Sequence, residues 1–455
     1  MSLLASLALL VAALPQTPAA QGSSPQGGAP GLLTATEQGS LRDKLAKFLA
    51  DDGAVRMASD KEYDKLSRTR EKSKDAFDAE LKKLEKKGNI IGSMPDLRAM
   101  FEGCFLVKAP PSGSVAALKK MTTKDGLDFS MHLPKPYRAD KPWRTIIVVP
   151  GTAAVGAPGW AKPADYFTAV WDKAAAQADT IFHIPHVADN LELDPIPDYS
   201  HEGADAEEDR RIKTIWTLND VMQSANVDRS RVFLDCGRGA CGFALRFATL
   251  FPERFAGLVL REPSAVDDLR LGSLTGMPIL LLRSPANAAV VDALKTRLEA
   301  VGKETVVAID AADEYPHKGA TAQIEEWLGK QRRNMMPATV IIEPNHDRFN
   351  RAYWADIDTA DSLLTTAPDK KPRLEVKADR ATNRITVKAV GVERFILSLN
   401  DSIVDLDKEF TIVVNDKAFT EKKTRSFRAV WEGVQARFDW DCLFSAKVTT
   451  TVPKP

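Results

Sequence analysis

Between residues 114 and 333, short apolar runs rich in β-branched side chains alternate with amphipathic stretches, and this pattern predicts strands separated by helices. The apolar runs fall at 145–150, 180–185, 231–235, 257–260, 278–282 and 304–309. Helical periodicity occupies 209–225, 290–301 and 320–331. Strands that are apolar on both sides need helices over both sides. The middle of the chain therefore reads as α/β, a doubly wound and mostly parallel sheet.

The flanks follow other periods. Leu41, Leu45, Phe48 and Leu49 share one helix face, and Tyr63, Leu66, Phe77, Leu81 and Leu84 mark a second, highly charged helix. Arg70 and Ser73 interrupt the second stripe, which favours a helical hairpin packed on the next domain over a long coiled coil. Lys86 and Lys87 suit the negative end of that helix, and Gly88 is placed to cap it in a left-handed conformation. From about residue 337 the helix alternation stops. Runs at 373–377 and 384–388 alternate about a turn at 381–383, and 411–414 enters a tight turn at Asn415 and Asp416. One helix interrupts, with Phe427, Val430, Trp431, Val434 and Phe438 on one side, so this part reads as a small β-sandwich with a packed helix. Trp354, Trp431 and Trp440 then serve as packing residues rather than as a carbohydrate platform.

Charge removes whole classes of function. In 455 residues, 62 Lys+Arg balance 62 Asp+Glu, and no basic run supplies the local field that nucleic acid would need. With 44% hydrophobic and 27% charged residues the chain has a globular composition, which excludes a disordered or disulfide-dense scaffold. The stretch from Leu3 to Leu14 holds about 12 apolar residues, against about 20 for a membrane span, and small residues follow it up to Ala20. That reads as a cleaved signal peptide and implies export, periplasmic or secreted. No later segment could span a membrane. The expected organisation is signal peptide 1–20, linker 21–35, helical region 36–110, α/β core 111–335 and β-rich domain 336–455. Cys104, Cys236, Cys241 and Cys442 are scattered over these parts, and an even count does not by itself establish a bridge.

Several consecutive segments carry a family resemblance. Residues 123–137, with Leu133-Pro134 before Tyr137, look like a pair of opening strands, and residues 143–151 like a strand that runs into an oxyanion-hole loop. Residues 226–235 and 251–260 look like the segments before and after a nucleophile turn. Over roughly 115–335 the chain resembles secreted esterases of the α/β-hydrolase fold, those related to polyhydroxyalkanoate depolymerases, feruloyl esterases and prolyl oligopeptidase catalytic domains. Residues 348–354, 400–407 and 413–416, with the closing helix and strand, resemble the β-rich extension attached to some exported bacterial esterases.

The resemblance implies a Gly-x-Ser-x-Gly turn, in which a strained strand-to-helix reversal exposes a serine hydroxyl. Here the turn reads Cys236-Gly-Arg-Gly-Ala-Cys-Gly242. Counting along the strand places Arg238 at the nucleophile position, whereas matching glycines places Gly239 there, and neither can attack a carbonyl. The acid position falls on Asn287, which cannot carry the charge that steadies an imidazolium. His317, in a loop before the last helix, is the retained histidine. Gly151, Thr152 and Cys241 are expected to line the ligand cleft, with Pro150 where these esterases usually carry histidine. The expected function is a catalytically inactive hydrolase relative that binds a small ligand or a protein partner, with no cofactor and no metal. If Arg238 lies in the cleft beside His317, its charge favours an anionic ligand. The alternatives are a displaced set, Cys241 or Ser284 with His317 and Glu262 or Asp267, and a metal site on His183, His186 and His201 with Asp189, Asp194, Asp198 and Glu202.

Overall fold

The computed structural model describes residues 31–56, 58–102, 104, 119–122, 128–135, 137–149, 163–172, 174–185, 221, 225–266, 269–302, 305–345, 349–361, 370–437 and 439–454. Its centre is an eight-stranded sheet. The strands are β1 (Lys119–Thr122), β2 (Asp128–His132), β3 (Trp143–Val149), β4 (Thr180–Pro185), β5 (Val227–Gly237), β6 (Gly257–Arg261), β7 (Ile279–Arg283) and β8 (Val306–Asp310). They lie in the order β1-β2-β4-β3-β5-β6-β7-β8. β2 runs antiparallel to both of its neighbours, and every pairing from β4 to β8 is parallel.

Alternate residues of the central strands face opposite sides, as the two-residue period requires. Ile146, Val148, Phe233, Val259 and Leu280 pack with helices α4 (Pro163–Trp171) and α7 (Thr321–Lys330). Ile147, Val149, Leu234, Leu258 and Leu281 pack with α5 (Ala240–Leu250) and α6 (Ala288–Gly302). The sheet is thus covered on both faces, an α/β arrangement with a mostly parallel sheet, as the sequence pattern predicts. The helix expected over 209–225 lies almost wholly outside the described residues.

At the N-terminal end α1 (Ala35–Arg56) and α2 (Asp60–Leu84) pack together, followed by α3 (Met94–Glu102). The end of α2 departs from expectation. Gly88 has φ 138° and ψ −173°, a mirror-extended conformation rather than a left-handed helical one, because a 3-10 turn over Glu85–Lys87 has already tightened the helix end. The docking of this hairpin also differs. Leu41, Leu45, Phe77, Leu81 and Phe101 share a core with Val430, Val434 and Leu443 near the C-terminus, not with the sheet that follows in sequence. Phe427 closes the contact, 4.6 Å from Phe77 and 5.9 Å from Phe101 between ring centroids.

The C-terminal part forms two facing sheets around one core. One holds β10 (Arg351–Ala352), β11 (Ala355–Ala360), β14 (Val392–Leu399) and β17 (Ala446–Thr451). The other holds β9 (Thr339–Ile342), β12 (Arg373–Asp379), β13 (Arg384–Val390), β15 (Phe410–Val414) and β16 (Lys417–Glu421). The turn between β15 and β16 has positive φ at both Asn415 and Asp416, which matches strand twist in a two-residue hairpin. Helix α8 (Phe427–Arg437) lies beside this sandwich and presents Val430 and Val434 to the N-terminal helices. Trp354 is buried in the sandwich core, Trp440 is buried and Trp431 is stacked on Phe101. Phe438, expected on the apolar side of α8, lies outside the described residues.

Candidate functional site

Two neighbouring strands end in the same unusual way. β5 and β6 run parallel with Gly237 opposite Arg261, and the next residue of each, Arg238 and Glu262, has φ of 48°. A side chain in this left-handed region costs about 1–2 kcal/mol, so both chain ends are held there by their surroundings. The Arg238 amide donates to the Arg261 carbonyl at 2.7 Å, and α5 starts two residues later at Ala240. This strand-to-helix reversal is the geometry in which a hydrolase exposes its nucleophile. Its tip is Arg238. Gly239 already has helical dihedrals, φ −59° and ψ −30°.

Three side chains meet above the turn. One carboxylate oxygen of Glu262 lies 3.1 Å from Arg238 Nε, and the other lies 3.3 Å from His317 Nε2. The Arg238 guanidinium lies flat on Tyr315, 4.1 Å from the ring centroid. Gly237 makes this stacking sterically feasible, because a Cβ there would fall inside the Tyr315 hydroxyl. His317 is fully buried with φ 61°, and its Nδ1 lies 2.8 Å from the Asp313 carbonyl. A carbonyl only accepts, so Nδ1 carries the proton and Nε2 turns to Glu262. In a serine triad Nε2 would instead face the nucleophile.

A buried ion pair anchors the histidine loop from below. Arg261 Nε and Nη2 lie 2.7 and 3.2 Å from the two oxygens of Asp235 on β5, and both side chains are inaccessible to water. Trp171 Nε1 donates to the same carboxylate at 2.7 Å. The remaining arm of Arg261, Nη1, donates to the Pro316 carbonyl at 2.9 Å and so ties the residue before His317 to the sheet. Tyr166 lies beside this pair, and burial pushes its phenol well above the usual range, with the Asp235 charge adding to the effect.

The other expected site residues go elsewhere. Asn287 accepts from the Ser284 amide at 2.9 Å and from its hydroxyl at 3.2 Å, so it closes its own turn at the start of α6. His317 Nδ1 is engaged by the Asp313 carbonyl, its Nε2 lies near Glu262 without a hydrogen bond, and the carboxylate beside the histidine is Glu262. Cys241 does not line a cleft. It is the second residue of α5, where side chains point back toward the preceding strand, and its Sγ lies 3.5 Å from Cys236 Sγ in the buried core. Pro150, Gly151, Thr152 and Asp267 lie outside the described residues. So do His186, Asp189, Asp194, Asp198, His201 and Glu202. His183 is buried on β4 with its ring edge-on to Phe129, and no group of three potential metal ligands occurs among the described residues. Sequence reasoning missed Asp235, Arg261 and Tyr315. A charged residue at or near the end of each of two adjacent apolar strands was the available signal for the buried pair.

No protein-family model matches the chain, and no curated protein matches it. Among solved structures, a thermostable esterase is similar over 48% of this chain and 63% of its own length, with 16% identity and a TM-score of 0.35. The match thus spans less than two thirds of that esterase. An S-formylglutathione hydrolase from Staphylococcus aureus is similar over 49% of this chain and 99% of its own, with 12% identity and a TM-score of 0.36. A ferulic acid esterase from Anaeromyces mucronatus is similar over 50% and 94%, with 9% identity and a TM-score of 0.36. No helix among the described residues is long and apolar enough to cross a membrane.

Proposed function

We propose that this chain is an exported α/β-hydrolase-fold protein that does not hydrolyse esters or peptides, and that its former nucleophile turn now binds a small anionic ligand. The observation that carries this reading is the Arg238–Glu262–His317 arrangement. The side chain at the tip cannot attack a carbonyl, and the histidine nitrogen that would take a proton is turned to a carboxylate. Loss of a nucleophile in such a unit lowers turnover by several orders of magnitude.

Arg238 stands at the N-terminus of α5, where unpaired amides and the helix dipole already favour negative charge. Glu262 is paired with Nε, and the two terminal nitrogens have no carboxylate partner among the described residues. The side chain is 25% exposed. A carboxylate or phosphate group fits those donors in the bidentate manner that guanidinium favours. The test measures hydrolysis of short-chain nitrophenyl esters by the full chain, its Arg238→Ser variant and its His317→Ala variant, with a thermal-shift titration by acetate and by phosphate. The expected result is background hydrolysis by the natural chain and an anion-dependent stabilisation that Arg238→Ser removes. Hydrolysis by the natural chain that His317→Ala abolishes would overturn the reading.

A further inference from the structure

The thiols of Cys236 and Cys241 stand on either side of the turn that bears Arg238. Cys236 is the penultimate residue of β5 and Cys241 the second residue of α5, and their sulfurs are 3.5 Å apart. Only Gly237, Arg238, Gly239 and Ala240 separate them in sequence. Cys241 Sγ also lies 3.4 Å from the Cys236 carbonyl, so the sulfur is folded back over the strand end rather than out along the helix. No other combination of the four cysteines is close. Cys104 packs among the N-terminal helices, its Sγ directed at the Met100 and Arg42 carbonyls, while Cys442 is buried in the C-terminal sandwich.

We infer that Cys236 and Cys241 are a disulfide pair that closes the strand-to-helix turn when the protein folds in an oxidising compartment. A disulfide joins sulfurs about 2.0 Å apart, and these two thiols already stand in contact within one turn of chain. The chemistry is exchange with a low-molecular-weight disulfide. The thiolate of one cysteine attacks a sulfur of the small disulfide and expels one thiolate, leaving a mixed disulfide. The second cysteine, losing its proton, then attacks the protein sulfur of that mixed disulfide and expels the other thiol. Two thiols of the chain are oxidised to one bond, and the small disulfide is reduced to two thiols.

Burial decides when this takes place. Both side chains are inaccessible in the folded protein, and desolvation holds the Cys236 thiol well above its ordinary range. Exchange therefore occurs while the turn is still open, and the finished bond is shielded from reductants. That makes it a structural bond rather than a switch. Its effect is to fix the reversal in which Arg238 is held at positive φ.

Trypsin offers a direct reading, because cleavage after Arg231, Arg238 and Arg246 places the two cysteines on different peptides, 232–238 and 239–246. The full chain is unfolded under reducing conditions, refolded in a mixture of oxidised and reduced glutathione, quenched with an alkylating agent and digested without reduction. The expected product is a crosslinked pair of these two peptides that reduction separates, with two of the four thiols lost in the intact chain. Cys104→Ser leaves the crosslink intact, and Cys241→Ser abolishes it. Recovery of both peptides singly and fully alkylated from correctly refolded protein, or of either one joined to the peptide of Cys104 or Cys442, would overturn the inference.

Discussion

Glu262 stands between two side chains from distant parts of the chain, Arg238 and His317. One of its oxygens faces Arg238 and the other faces His317, whose Nδ1 is held at the Asp313 carbonyl. Adding Asn287→Asp to Arg238→Ser is therefore expected to leave ester hydrolysis at the level of Arg238→Ser alone, because the side chain of residue 287 serves the Ser284 turn. A steady-state assay of the two variants checks this, and a gain of ten-fold or more in the double variant would restore Asn287 to the acid position. The pair beneath is a different kind of feature. Asp235 and Arg261 are both removed from water, and breaking a buried pair by neutralising one member costs about 3–5 kcal/mol, since the other charge is stranded. Asp235→Asn should lower the urea midpoint accordingly. It should also loosen the His317 loop, whose Pro316 carbonyl is held by Arg261.

At the scale of elements, the junction of β5 with α5 depends on the absence of a side chain at Gly237. Tyr315 from the histidine loop occupies the space a methyl group would take, and Arg238 stacks on the same ring. Gly237→Ala is expected to destabilise by about 1–3 kcal/mol through overpacking, and to displace Tyr315. Denaturant unfolding gives the first quantity. A rise in the accessibility of Tyr315 to chemical modification gives the second, and an unchanged unfolding midpoint would show that the turn has slack. This junction was partly legible: apolar strands flanking a run of small residues announce a tight strand-to-helix turn. The stacking of Tyr315 was not, since it joins residues nearly eighty positions apart.

At the scale of the whole molecule, one buried cluster ties the α/β part to the sandwich. Arg333, just after α7, pairs with Asp439 and lies 2.7 Å from Asp441, while the Arg229 guanidinium lies 3.5 Å from the Trp440 ring centroid. Arg98 of α3 reaches Asp441 as well, at 2.7 Å, so all three parts of the chain meet there. Burial by itself would raise the Asp439 carboxyl, but the Arg333 charge and its hydrogen bonds hold it well below the usual carboxylate range. A carboxyl depressed in the folded state contributes stability above its unfolded value of about 3.9, and that contribution is lost as pH falls below it. Urea midpoints should therefore begin to fall below about pH 5 in the natural chain and keep falling below about pH 3, toward the depressed folded value. Arg333→Ala should be less stable at neutral pH and should show a shallower acid decline. An equally steep decline in that variant would assign the acid sensitivity to other carboxylates.

Periodicity along the chain determined the elements. The two-residue and 3.6-residue patterns respond to which side of a strand or helix meets water, and that is a local property of the sequence. The α/β core and the hairpins of the sandwich were legible for this reason, whereas His317 stood out only through the family resemblance. Partner choice was decided only in three dimensions. The N-terminal hairpin has an apolar stripe that any apolar surface could cover, and the tertiary structure pairs it with α8 rather than with the adjacent sheet. Glu262, Arg238 and His317 come together because β5 and β6 lie side by side and the loop after β8 folds over their ends. Cys241 turns inward because a side chain in the first turn of α5 points back toward its own strand. Contacts of this kind depend on register and chain direction between distant segments, which the order of residues along a single segment does not encode.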